Sequence, residues 1–110
     1  MSSSTIPQAT KDAVNRRADY KCEFSQGIHD LDYCHITHRG LGGRKGKWIK
    51  IIHDPRNVVL LTRYWHDVLD GRVKVEDGIR EKLLLFVRLK TGWHEWATEN
   101  GIYVEEMENE

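Results

Sequence analysis

Tyr33-Cys34-His35-Ile36-Thr37-His38-Arg39-Gly40-Leu41-Gly42-Gly43, Asp54-Pro55-Arg56-Asn57-Val58-Val59-Leu60-Leu61 and His66-Asp67-Val68-Leu69-Asp70-Gly71 are the three stretches whose reading decides the fold. Val58 to Leu61 is a β-branched and apolar run, the best strand candidate in the chain. Leu31 to Ile36 reads as a short strand before it. Between them, Thr37 to Asn57 holds Gly40, Gly42, Gly43, Gly46 and Pro55 together with many bases. An irregular segment this long inside a small domain is functional or disordered. Thr62 is placed to cap a helix from Arg63 to Leu69, which Gly71 stops.

Outward from this centre the pattern turns helical. Ala9, Ala13, Val14 and Ala18 recur at helical spacing, with Pro7 suited to a first turn and an end near Asp19 or Tyr20. Cys22 to Asp30 is turn-rich around Gly27. Val73 to Lys90 reads as a second helical region, with Ile79, Leu83, Leu84, Phe86 and Val87 toward the core. Thr91, Gly92 and Trp93 interrupt it, and Trp93 to Asn100 adds a short helical piece capped by Gly101. Trp93 and Trp96 read as core. The order is helix, strand, long glycine-rich loop, strand, helix and helical tail: an α+β domain with a ββα centre.

At 110 residues the chain suits one domain with one modest core. The expected division is a core over roughly 10–71, a helical extension over 72–104 and an acidic tail over 105–110. Charged residues make up 31 % and hydrophobic ones 39 %, a globular balance, and the formal net charge is zero. The charges are unevenly distributed. Arg39, Arg44, Lys45, Lys47 and Lys50 form a stretch without acids, while Glu105, Glu106, Glu108 and Glu110 close the chain without a base. Two cysteines, Cys22 and Cys34, are too few for a disulfide scaffold. With no apolar run of membrane-spanning length and no apolar signal core, the expectation is a soluble, cytoplasmic protein.

The three stretches, taken together, resemble the HNH endonuclease family over roughly Ala13 to Gly71. That family shows a ligand residue followed by His and an aliphatic residue, an Arg and a Gly-Gly pair, an Asn before an aliphatic strand, and a His opening a helix. The resemblance implies a ββα-metal core and a metal-dependent endonuclease that hydrolyses phosphodiester bonds in DNA. It assigns His35 as general base and Asn57 as the residue holding the loop or the base in place. Metal ligation falls to His66, to Asp70 four residues later on the same helix face, and to Cys34 directly before the base. Phosphodiester hydrolysis explains these residue types, since neutral imidazole accepts a proton from water near neutral pH and one divalent cation neutralises phosphate and leaving oxygen.

Two features depart from the family. Cys34 stands where Asp or His is usual; as a thiolate ligand it would favour zinc or a similar metal over magnesium, and otherwise it is a small buried residue. Many members also carry a structural zinc on two Cys-x-x-Cys pairs. Here only Cys22 survives, with Ser25, Thr62 and Trp65 at the other three places, so no structural zinc is expected and packing must replace it.

The basic loop fits a DNA partner: His38, Arg39, Arg44, Lys45, Lys47 and Lys50 are the expected phosphate contacts. His29, His53 and His94 read as ordinary surface or core histidines. Freestanding members of this size resemble phage or mobile-element nucleases, so packaging or recombination proteins are conceivable partners, and a host-cell cytoplasm the setting. Two other readings remain at this level: a DNA-binding module that kept the fold and lost the metal, and a nuclease fold turned to binding a protein. Metal binding by the purified protein tests the first, and the helical extension after Gly71 tests the second, because an exposed apolar face points to a partner and a packed one to a zinc substitute.

Overall fold

The computed structural model describes residues 6–38 and 50–102. Helices and a two-stranded antiparallel sheet make an α+β domain: α1 (Gln8–Ala18), β1 (Leu31–His35), a 3-10 turn (Pro55–Asn57), β2 (Val58–Thr62), α2 (Arg63–Leu69), α3 (Ile79–Thr91) and α4 (Trp93–Glu99). The loop bases Arg39, Arg44, Lys45 and Lys47, and the acidic tail, lie outside the described residues. Lys50 is described and exposed.

The hairpin register sets His35 opposite Val58, Cys34 opposite Val59 and Tyr33 opposite Leu60. Val58, Val59, Leu60 and Leu61 are all buried, because both faces of β2 are covered. Val58 and Leu60 pack with Val14 and Ala18 of α1. Val59 and Leu61 pack with Val68 and Leu69 of α2 and with Leu83, Val87, Trp93 and Trp96 of α3 and α4. The continuous apolar run therefore needs no alternation.

Local causes fix the element ends. The Thr62 hydroxyl accepts the Trp65 N–H at 3.3 Å, capping α2. Gly71, at φ 79°, follows the helix in the left-handed conformation that only glycine adopts freely. Gly92, at φ 82°, turns the chain between α3 and α4. Two expectations shift. The buried stripe of α1 is Thr10, Val14 and Ala18 rather than one containing Ala9, because Thr10 reaches back to the carbonyl of His53 at 2.7 Å. The second helical region starts at Ile79, after an irregular stretch over 72–78, and Phe86 lies on its exposed side with Leu85 and Leu89.

Glu23 ties the ends of the domain together. Its side chain is fully buried and accepts from Arg17 Nε and Nη2 at 2.7 Å each, from Lys90 Nζ at 3.0 Å and from the Leu60 amide at 2.9 Å. Burial raises its carboxyl, but the Arg17 hydrogen bonds and charge, the amide and Lys90 outweigh it and hold the group below its ordinary range. This knot sits beside the turn where the first Cys-x-x-Cys pair would fall. There the Cys22 thiol accepts the Ser25 N–H at 3.3 Å, and Trp65 meets Phe24 edge-on at 4.7 Å. Both cysteines are buried and unpaired. Among the described residues, no helix is long and apolar enough to cross a membrane.

Candidate functional site at the open end of the hairpin

Polar side chains gather where β1 ends and α2 begins. His66, on the first turns of α2, is held from both sides. Its Nδ1 lies 2.9 Å from Asp32 Oδ2 on β1, and its Nε2 lies 3.2 Å from Asp70 Oδ2 at the end of the helix. A carboxylate only accepts, so the two acids on either side of the ring favour its protonated form. The Asp70 hydrogen bond raises its pKa, burial opposes this, and Asp32 reinforces the rise. Asp32 also forms an ion pair with Arg63, whose Nε lies 2.9 Å from Oδ2.

Asp70 is the junction. Besides His66 it takes Arg72 Nη2 at 2.8 Å and His38 Nε2 at 3.3 Å. Burial pushes its carboxyl up, yet His38 and His66 prevail and hold it well below the usual carboxylate range. Its side chain is 11 % exposed while that of His38 is 60 % exposed, so a sequestered acid is reached by an open imidazole.

His35 closes β1. Burial, then the neighbouring imidazoles of His53 and His38, lower its pKa to about 4, so the ring is neutral at pH 7. Its Nε2 lies 3.1 Å from His53 Nδ1, and its ring centroid is 6.5 Å from that of His38. His53, His35, His38, Asp70, His66 and Asp32 thus form one chain of neighbours.

Asn57 holds the frame. It is fully buried, accepts the Thr37 N–H at 2.8 Å, and donates to the carbonyls of Thr37 and Ile52 at 3.0 Å each. It therefore pins both ends of the segment that links the strands. Trp93 Nε1 adds a hydrogen bond to the Thr37 hydroxyl at 3.0 Å.

Of the expected metal ligands, the structure brings His66 and Asp70 together and leaves Cys34 out. Cys34 is 1 % exposed, packed in the core, and its thiol points to the Asp32 carbonyl at 3.6 Å. Burial first, and then the charges of Asp32 and Asp70, raise its pKa well above the ordinary thiol value, which disfavours the thiolate a metal needs. His38, expected as a phosphate contact, sits on Asp70 instead.

Among the described residues, no three His, Cys, Asp or Glu side chains stand in a ready coordination sphere. The chemistry of the His66, Asp70 and His38 donors nonetheless suits a divalent cation. Their 3.2 and 3.3 Å separations also resemble those of ligands sharing one cation, which lie roughly 3 Å apart when each is about 2.1 Å from it.

Clefts open on two sides. One, of about 700 Å³, is lined by Asp32 and His66 with the cations Lys11, Arg63 and Arg72. The other, of about 360 Å³, is lined by His38 and Asp70 with Arg80 and Arg88. Sequence reasoning missed these cations and His53. Apart from Arg80 and Arg88, which share α3, they come from separate parts of the chain, and no one spacing groups them. No family model, curated protein or solved structure matches the chain.

Proposed function

We propose that this chain is a metal-dependent DNA endonuclease of the HNH type, acting on phosphodiester bonds with low sequence specificity. The observation that carries this reading is a neutral, half-buried His35 beside an acid-and-imidazole cluster on a hairpin–helix unit. A base held neutral at pH 7 next to a retained carboxylate separates the two tasks of hydrolysis.

In this reading His35 takes a proton from water, the water oxygen bonds to phosphorus, and the bond from phosphorus to the sugar oxygen breaks. His66 and Asp70 would hold the cation with His38 as the nearest further donor, and the hydrogen bond from His66 Nδ1 to Asp32 would leave Nε2 as the ligating nitrogen. A divalent cation, magnesium or manganese before zinc, supplies neutralisation of the phosphate and of the leaving oxygen when bound. Lys11, Arg63 and Arg72 offer positive charge along the cleft beside His66, and Lys50 and the bases between Arg39 and Lys47 are further candidate phosphate contacts. Asn57 acts through the frame it pins.

The deciding experiment is cleavage of supercoiled plasmid by the purified protein with magnesium, manganese, zinc or EDTA, beside His35→Ala and His66→Ala. Metal-dependent nicking that both substitutions remove supports the enzyme. A folded wild type that binds DNA but cuts it with no metal favours the second reading, a DNA-binding module that lost its catalytic metal. The burial of Cys34, which removes one donor from the site, is the observation on that side.

A further inference from the structure

His53 is the least expected member of the cluster, and the backbone around it is tied from several sides. Three successive carbonyls leading to it are each tied by a side chain from a different part of the fold. Trp96 Nε1 of α4 donates to Ile51 O at 3.1 Å, Asn57 Nδ2 to Ile52 O at 3.0 Å, and Thr10 Oγ1 of α1 to His53 O at 2.7 Å. The turn then closes from the Asp54 amide to Ile51 O at 3.2 Å. Buried donors are costly to leave unpaired, so this convergence fixes the path of the chain here. It delivers the ring of His53 to that of His35, with centroids 5.1 Å apart, planes tilted by 45° and Nδ1 at 3.1 Å from Nε2.

We propose that His53 is the positioning residue of His35: its Nδ1 accepts the Nε2–H of His35 and so leaves His35 Nδ1 as the bare lone pair that takes the proton from water. This rests on the nuclease reading and adds to it the tautomer and orientation of the base. Two neutral imidazoles share one proton across such a contact, so one ring donates and the other accepts. If His53 donated, His35 Nε2 would be the acceptor and Nδ1 would carry the proton, and His35 would have no free nitrogen. If His35 donates, Nδ1 is free, and it has no hydrogen-bond partner among the described residues. The proton balance is simple. Water gives one proton to His35 Nδ1 as its oxygen bonds to phosphorus, and the imidazolium keeps its Nε2–H on His53, so no proton need leave the pair during the step. An orienting partner on the second nitrogen is the general device by which a histidine is committed to one tautomer.

The test uses the full chain labelled with ¹⁵N-histidine, in wild type, His53→Ala and His53→Gln, with circular dichroism confirming the fold of each. Long-range ¹H–¹⁵N spectra at pH 7 report which nitrogen of His35 is protonated, and plasmid cleavage reports turnover. We expect a single Nε2–H tautomer in wild type, and a mixture in His53→Ala with turnover down about 10- to 100-fold and KM unchanged. His53→Gln, whose side-chain oxygen also accepts, restores the tautomer and part of the rate. An Nδ1–H tautomer in wild type, or His53→Ala with tautomer or turnover unaltered while wild type cuts, overturns the positioning role and leaves the nuclease standing. A wild type that cuts no DNA overturns both.

Discussion

Glu23 and Asp70 are both nearly buried carboxylates that accept from cations on several sides, yet they belong to different kinds of structure. Glu23 is surrounded by a guanidinium, an ammonium and a backbone amide, those of Arg17, Lys90 and Leu60, all at 3.0 Å or less. Two of Asp70's partners are imidazoles, at 3.2 and 3.3 Å, and one of these is largely open to solvent. The first cluster is closed and joins α1, β2 and α3. The second lies at an open edge, where our proposal places a metal ion. The difference is one of partner chemistry: permanent donors make a clasp, and titratable donors at an open edge make a site.

Breaking each cluster should therefore give different phenotypes. The largest effect is expected at the base. His35→Ala should lower cleavage about 10³-fold, ~4 kcal/mol in the barrier, while its thermal unfolding midpoint stays near that of wild type. Steady-state cleavage beside a melting curve checks this, and a variant that cuts normally removes His35 from the chemistry. Glu23→Ala should do the converse. It strands the Leu60 amide and separates Arg17 from Lys90, at a cost of about 3 kcal/mol by urea unfolding. A loss under ~1 kcal/mol would mean that the clasp is ornamental.

Asn57→Ala sits between the two phenotypes. It unpairs one buried amide and two carbonyls and should cost about 2 kcal/mol. It should also lower cleavage, because the frame under Thr37 and Ile52 loosens; a destabilised protein with full activity would limit Asn57 to the fold.

pH sharpens the comparison further. His66 has a raised pKa, so its contribution is fully present below the ordinary value of 6.5 and is lost as pH rises through the folded value. His35 is lowered to about 4, so the unfolded chain takes up its proton first and stability falls as pH drops from 6.5 toward 4. Stability should peak near pH 6.5, with Glu23 and Asp70 adding their losses only below the ordinary carboxylate values of 4.5 and 3.8. His66→Gln should flatten the alkaline side alone and His35→Ala the upper acid side; a peak unmoved by either would refute these assignments. The smallest effect is expected at the exposed edge. Glu99 pairs with Arg56 at 3.0 Å and is half exposed, so Glu99→Gln should cost less than ~0.5 kcal/mol in the same unfolding assay.

The sequence determined the elements whose causes are local. Val58 to Leu61 made a strand because a short β-branched and apolar run, buried on both faces, has no better alternative. Thr62 and Gly71 bounded α2 through a hydroxyl cap and a positive φ. The i, i+4 spacing of His66 and Asp70 placed them on one helix face before any tertiary contact formed. Tertiary structure decided whatever depended on side-chain facing or on distant partners. Cys34 went to the core and His38 to Asp70, which period alone does not foretell when helices cover both faces of a hairpin. His38 meets Asp70 across 32 residues, Asp32 meets His66 across 34, and His53 meets His35 across 18. Such pairs form only once the core has closed the loops between them, because the entropy of closure is met by burial elsewhere in the chain. Glu23 is the extreme case: it reads as an ordinary turn residue until Arg17 and Lys90, from opposite ends of the domain, fold onto it.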